Sequence, residues 1–444
     1  MPALTGCQRS SARPVPPPPS PTAWARRAPR PYPAHGARRA RTGHTSTGTL
    51  AVMSEAAEVV VVGGGVIGLS VARELRRAGA GRVVVLERAP AVGQGSSARA
   101  AGGVRAQFTT RINIEFSRHS IGELERLDRD TGLPGFHQTG YLLMTGTEEG
   151  ERSLAEASAL QRSLGVDTRW LARDEVLRLA PFVRPDGLRA GTFHARDGFL
   201  DPHGVVSAMR LDALELGAEI VTGVEVRAIR RLDGDGFEVA AAGRSLRARF
   251  VVNAGGPEAA RVASLLGVEL PVAPVRRNLA YVRDQPHPGL APGVPAELIP
   301  MTVDLDTGVL VRREVGGGFL VAWSDPDDPP SWETSLDPRF LEALGERIGH
   351  RFPFLEQLPV DPRQCWAGLY PETPDHHAVI GEPPEAPGFV QCAGFGGHGV
   401  MHSPAAGRAV AELVTLGRCT SFDLRPLRPS RFDEGDLVIE TAVL

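Results

Sequence analysis

Residues 58–87 read EVVVVGGGVIGLSVARELRRAGAGRVVVLE. Val59 to Val62 form an unbroken β-branched run, the pattern of a parallel strand buried on both faces. Ile67, Val71 and Leu75 then recur every four residues, and Gly79 stands where a helix C-cap favours a left-handed residue. This spacing predicts a helix of about three turns. RVVVLE, residues 82–87, is the next strand, so the whole stretch is one β-α-β unit and the class is α/β.

Between the first strand and the helix, Gly63, Gly65 and Gly68 form G-x-G-x-x-G. The first glycine allows a tight turn, the second lets backbone approach a pyrophosphate, and the third lets helix and strand pack closely. Exposed N–H groups at the helix start attract anionic oxygen. Glu87 ends the second strand at the spacing where an acid accepts hydrogen bonds from ribose hydroxyls. Together these predict a dinucleotide site without choosing NAD over FAD.

Composition removes other chemistries. The 444-residue chain is long enough for two domains. All 49 of its basic residues are arginine, so a Schiff-base lysine, a pyridoxal-phosphate lysine and a Walker lysine are absent. Cys7, Cys365, Cys392 and Cys419 contain no C-x-x-C pair, which argues for a reducing, cytoplasmic setting and against a zinc site. His376 and His377 are adjacent in an extended segment and face opposite ways, so no metal is expected there. The net charge of −3 includes eight arginines and no acid in residues 1–52, leaving −11 on the remainder. Such a body has no broad attraction for nucleic acid. No apolar run approaches a bilayer span.

Residues 1–52 contain RPVPPPPSP and lack apolar periodicity, so a disordered tail is expected there, with a targeting role left open. Further strands are predicted in AEIVTGVEVRAI, GFEVAAA and ARFVVNAGG, and a second layer of half-exposed antiparallel strands in LAYVRD, VLVRRE and GFLVAW. Pro-rich surface loops are expected near 285–300 and 325–338.

Two more stretches favour close approach to a ligand. Residues 92–105, VGQGSSARAAGGVR, form a loop of small residues in which Ser96, Ser97 and Arg99 can donate to phosphate or ring oxygens. Residues 392–413, CAGFGGHGVMHSPAAGRAVAEL, place glycines ahead of a predicted helix with Ser403 as N-cap and Pro404 as its first residue. A second helix N-terminus behind glycine backbone suits the negative charge of a reduced flavin ring.

With SSARAAGGVR, VVNAGGPEA and GLYPETPDHHAVIG in the same order, the chain resembles the FAD-dependent D-amino-acid oxidase family, which includes glycine oxidase, sarcosine oxidase and dimethylglycine dehydrogenase. The resemblance covers about residues 57–420. It implies a Rossmann-like FAD-binding domain with a parallel sheet plus an antiparallel-sheet substrate domain, the glutathione-reductase type of FAD fold. Residues 57–145, 200–268 and 363–420 would form the first, residues 146–199 and 269–362 the second, and residues 421–444 a C-terminal tail.

By the same resemblance Gly63, Gly65, Val66, Ile67, Gly68, Glu87 and Arg88 would hold the ADP half, with the Val224 backbone at the adenine. Ala254 and Gly255 would line the pyrophosphate channel. Gly397, His398, Gly399, Val400 and Met401 would embrace the isoalloxazine, and Ser96, Ser97, Arg99, Gly102, Gly103 and Gly396 would also bind the cofactor. Relatives with covalent flavin use a histidine where Arg99 stands or a cysteine where Gly368 stands, so FAD is expected to be non-covalent.

The implied reaction is oxidation of a C–N bond in a small amino acid or N-methylated amine such as glycine, sarcosine or proline. Oxygen or a redox partner would take the electrons. A carboxylate substrate calls for an arginine clamp. Arg105 is the first candidate, followed by Arg312 and Arg313, then Arg276 and Arg277. His398 is expected to contact the ring rather than abstract a proton, and Tyr370 to cover the flavin or fill core. The alternatives are an electron-transfer subunit or assembly factor in a hetero-oligomer, an NAD enzyme, and an FAD-dependent hydroxy-acid dehydrogenase.

Overall fold

A computed structural model of the chain describes residues 55–283 and 299–442. The expected N-terminal tail and most of the Pro-rich 285–300 loop lie outside the described residues. Two eight-stranded sheets carry the architecture.

The first sheet has six strands in the order β17 (Val379–Gly381), β18 (Phe389–Ala393), β11 (Arg244–Asn253), β1 (Glu55–Val62), β2 (Val83–Glu87) and β8 (Glu219–Thr222). The pairs β18–β11–β1–β2–β8 run parallel. β10 (Phe237–Ala241) and β9 (Val226–Arg231) extend β11 as an antiparallel flap. Val59, Val60 and Val61 are fully buried, as the apolar run requires when both faces are covered. The chain leaves β1 toward β2 on one side and returns later as β11 on the other. That reversal opens a crevice at the carboxyl end of β1, where doubly wound sheets take ligands.

The predicted single strand across 218–229 is broken in two. Gly223 turns with φ +73°, and the N–H groups of Gly223 and Val224 donate to Ala89 O and Glu87 O. β8 thereby stays in the parallel sheet while β9 leaves it.

The second sheet runs β16 (Trp366–Glu372), β12 (Ala273–Val282), β15 (Phe319–Trp323), β14 (Val309–Arg313), β13 (Met301–Asp304), β4 (Tyr141–Thr145), β6 (Ala190–His194), β5 (Arg169–Ala172). It is antiparallel apart from the β13–β4 pair. β4 and β16 therefore belong to this sheet rather than to the cofactor domain where the sequence boundaries put them. Its central strands are almost wholly buried, not half-exposed, because an apolar cluster with Phe340, Leu344, Phe352 and Phe354 covers one side. Two short strands, β3 (Gly103–Val104) and β7 (Gly198–Phe199), pair beside it.

Helices flank the sheets: α1 (Val66–Arg77), α2 (Arg111–Thr131), α3 (Glu148–Ser163), α4 (Arg173–Leu179), α5 (Pro202–Glu215), α6 (Ala259–Ser264), α7 (Phe340–Arg351), α8 (Gly399–Leu416) and α9 (Arg431–Glu434). α1 matches its sequence reading, with Gly79 left-handed just past its end. α8 starts earlier than predicted, at Gly399 with His398 as N-cap, so Ser403 and Pro404 lie inside it. A proline there leaves the carbonyl four residues back without its helical donor. The Ser403 hydroxyl supplies one, donating to Val400 O at 2.8 Å, and the helix continues.

α1 and α8 press together where Gly407 meets Ser70. A Cβ on Gly407 would fall 2.7 Å from Ser70 O, and the Ser70 hydroxyl donates to Ser403 O at 2.7 Å. α2 packs on the same pair, with Ser117 Oγ 2.9 Å from His402 Nε2. Residues 421–442, expected to be a tail, are built into the body. Arg431 forms a bidentate pair with Asp375 at 2.7 and 3.0 Å, both side chains fully buried. Glu440 accepts from Thr110 N at 3.2 Å, the Thr110 hydroxyl at 2.7 Å and Asn113 Nδ2 at 3.0 Å, capping the start of α2. No described helix is long and apolar enough to cross a membrane.

Gly407→Leu should force α1 and α8 apart and lower stability by about 2–3 kcal/mol, read as a fall in the urea midpoint. A second expectation concerns pH. Burial holds the His402 imidazole down at about 3, so the folded protein keeps it neutral while an unfolded histidine protonates near 6.5. The stabilisation is complete above the unfolded pKa and declines as pH falls from about 6.5 toward 3. Between pH 7.5 and pH 5 the loss from this residue is about 2 kcal/mol, and His402→Gln should flatten the slope of stability against pH by that amount.

Candidate active site

The crevice at the end of β1 continues as a long cavity of about 680 Å³. One end is walled by Glu87, Arg88, Val224 and Glu258, the middle by Gly63, Gly65, Ala254 and Gly255, and the far end by Gly396, Gly397, Gly399 and Val400. Val66, Ile67, Ser96, Ser97 and Arg99 also line it. The two glycine turns of the sequence thus face one continuous space, one at each helix mouth.

Gly63 has φ +112°, and a Cβ there would meet Ala254 O at 2.3 Å, so only glycine lets β1 turn beneath β11. Gly68 is the one residue of the expected ADP set that does not line the cavity. Its missing side chain makes room for Gly63 O, which a Cβ would reach at 1.9 Å, so it shapes the turn from below. Glu87 holds the turn through both oxygens, accepting from Gly64 N and Ala89 N at 2.7 Å each. A carboxylate oxygen has a second acceptor position left for a ribose hydroxyl. Ser97 Oγ accepts from Val66 N at 3.2 Å, so the small-residue loop and the first helix form one wall. Arg88 pairs with Glu258 at 2.8 Å at the rim. Val224 lines the cavity end and spends its N–H on Glu87 O.

A smaller chamber of about 80 Å³ adjoins the far end and shares Ser96, Arg99, Tyr370, Gly397 and Val400 with it. Gly102, Gly103, His398 and Met401 line this chamber, with Tyr141, Met301, Leu310 and Trp323 on its apolar side. Tyr370 is half-buried between the two spaces, and desolvation pushes its hydroxyl pKa up, so it stays neutral. His398 is kept neutral by burial and by nearby Arg105, and its ring meets Phe108 edge-on at 4.9 Å. A neutral, enclosed imidazole fits the expected contact role.

The arginine ranking changes. Arg105 lines the chamber, but its guanidinium stacks 3.9 Å from the Phe108 ring centroid and donates to Gln107 O and Ala442 O. Its donors are directed into the protein, and burial lowers its pKa. Arg312 does not line the chamber: it lies 4.6 Å over Phe199 and pairs with Glu314. Arg313 lies over Phe319, and Arg276 pairs with Asp337 on the other side of the strand.

Arg277, ranked last from sequence, faces the chamber from β12. Among the described residues its hydrogen bonds all fall on Nη1: Arg276 O at 3.2 Å, Asp325 O at 3.3 Å and Asp328 Oδ2 at 3.3 Å. Adjacent arginines on a strand face opposite ways, and only pairing to β16 and β15 tells which of the two looks inward. His376 lies 3.2 Å from Glu372, while His377 contacts Thr110 Oγ1 at 3.0 Å and Asp375 O at 3.1 Å. No metal-holding cluster occurs among the described residues.

A glycine-walled cavity with a carboxylate at one helix mouth and a half-polar chamber at the other fits FAD in shape and donor set. Comparison with known proteins agrees. The FAD dependent oxidoreductase family matches residues 58–413. The chain is 30% identical to FAD-dependent oxidoreductase domain-containing protein 1 of Xenopus laevis, covering 90% of this chain and 87% of that protein. It is 29% identical to glycine oxidase of Geobacillus kaustophilus, covering 85% and 98%. Among solved structures, L-proline dehydrogenase from P. horikoshii superposes with TM-score 0.80 at 27% identity over 87% of this chain and all of that one. The chain is an FAD-dependent oxidoreductase and belongs to the FAD dependent oxidoreductase family.

Proposed function

We propose that this enzyme oxidises the C–N bond of a small amino acid or N-methyl amino acid, of the glycine, sarcosine or proline kind. The observation that carries this reading is the chamber itself, which joins a cofactor-sized cavity, holds little volume and has an arginine with unspent donors on its wall. At about 80 Å³ it is well below the roughly 300–1,000 Å³ of a drug-sized ligand site, which supports a substrate of few atoms. The similarity to a glycine oxidase and an L-proline dehydrogenase points the same way.

When bound, FAD would supply the acceptor for a hydride from the carbon next to nitrogen, and water would hydrolyse the resulting imine. The protein's part is to bind, orient and set charge. Arg277 presents its two terminal nitrogens to the substrate carboxylate, a planar fork matched to two oxygens. Tyr141, Met301, Leu310 and Trp323 give the side chain an apolar wall and exclude water. Arg99, Arg105 and Arg277 surround the amine with positive charge, which disfavours ammonium and favours the neutral amine whose lone pair imine formation needs. The α8 N-terminus brings backbone N–H groups to the end of the cavity where charge develops on a reduced ring. Arg99 and Gly368 offer no attachment atom, so the cofactor is held by these contacts alone.

Anaerobic addition of glycine, sarcosine and L-proline to the purified flavoprotein should bleach its visible absorption with at least one of them. A flavin inert to every amine and amino acid would instead favour an electron-transfer role, and reduction by hydroxy acids alone would favour alcohol oxidation. Arg277→Met should raise KM for the amino-acid substrate by about a hundredfold while kcat changes much less, the sign of lost carboxylate binding.

A further inference from the structure

Arg277 already has an anionic partner. Between β15 and the next contact with β12, residues 324–329 form a short arch beside the chamber. Ser324 lines the chamber, and Asp328 reaches down to Arg277 Nη1 at 3.3 Å. The arch is tied at both ends. One end leaves β15 at Trp323, and the other is held where Pro330 bridges Val275 and Ser331 N donates to Pro274 O at 2.8 Å. Asp325 organises the bend by accepting from Asp327 N at 3.0 Å. Asp328 thus lies on a connection outside the strands, and its side chain is not part of the sheet ladder.

The neighbouring charges show why the contact is loose. Arg276, beside it in sequence, is committed to Asp337, which Arg339 also meets at 3.1 Å. Arg277 and Asp328 have one contact with each other, at the long end of the hydrogen-bond range and without the paired geometry that makes arginine–carboxylate bonds strong. Both are largely buried, with side-chain exposures of 14% and 17%. For Asp328 burial outweighs the attraction of Arg277 and holds its carboxyl above the usual range. Desolvation thus weighs against a single bond.

We propose that Asp328 is an internal stand-in for the substrate carboxylate: it occupies Arg277 when the chamber is empty and is displaced when a carboxylate binds. The inference rests on the amino-acid reading of the chamber and adds to it a residue that tunes affinity for the carboxylate. A carboxylate paired across both terminal nitrogens needs the Nη1 hydrogen that Asp328 holds, so the two anions compete for one donor. A neutral amine offers nothing to displace Asp328 and leaves the arch closed. Asp328 thereby lowers affinity for every ligand that carries a carboxylate and leaves that of neutral ligands unchanged.

The test uses the FAD-loaded protein with acetate and the neutral acetamide as probes. Binding is followed through the visible absorption of the bound flavin and, independently, by titration calorimetry. Acetate should bind the wild type measurably and should bind Asp328→Asn about five- to tenfold more tightly, acetamide remaining equally weak in both. Asp328→Ser should shift acetate in the same direction, which guards against a folding artefact of one variant. Arg277→Met should remove acetate binding in either background.

If acetate binds the wild type and is lost with Arg277→Met, but Asp328→Asn and Asp328→Ser leave its affinity unchanged or weaker, the stand-in role is wrong while the carboxylate site survives. If acetate fails to bind any form, the carboxylate site and the stand-in fall together.

Discussion

The contact between α1 and α8 is the constraint on which the site depends. Each helix begins at a glycine turn, and the two turns can face one cavity only if the helices lie nearly touching. Gly407 supplies the space and Ser70 fills it, adding a hydrogen bond to Ser403 O in a buried interface. Buried polar atoms left without partners are costly, so this hydroxyl fixes the helices in register as well as in distance. α2 then seats against both through Ser117 and His402, and the C-terminal segment locks onto the start of α2 through Glu440. The cofactor cavity is the space left when these three helices and the parallel sheet are in place.

The second sheet is attached to this frame by its edge strand β16. That strand pairs with β12 along seven residues and carries Tyr370 into the seam between cavity and chamber. Arg277 on β12 stands one strand away, opposite Gly368, and a Cβ at Gly368 would meet the Arg99 side chain at 3.0 Å. Gly368 has no side chain, which leaves room for Arg99 to cross behind the strand. Arg99 donates to Ala367 O at 2.8 Å and ties the small-residue loop to the second sheet. Cofactor wall and substrate wall are consequently parts of one hydrogen-bonded surface.

Much of this was legible in the sequence because it depends on local rules. Val59 to Val62, the Gly63–Gly68 turn and Glu87 obey strand periodicity and turn geometry, and the structure places them together around β1. Long-range features were less visible. Arg277 could not be told from Arg276 before the pairing of β12 was known, and Arg105 looked available until Phe108, Gln107 and Ala442 were seen around it. Ser403–Pro404 imitates a helix start, and only the hydroxyl bond to Val400 O explains why the helix began five residues earlier. Glu440 is a lone acid in the largely apolar run LVIETAVL, with no spacing that could announce its partners on α2.

The Ser70–Ser403 bond spans 333 residues of sequence, and this separation bears on how the enzyme is made. The nucleotide turn leaves the ribosome long before its counterpart helix has been synthesised, so the apolar flank of α1 must wait without its partner. Chains of this kind expose incompletely covered surface while they grow. Availability of flavin can act only late in that process, once the second glycine turn has arrived to close the far end.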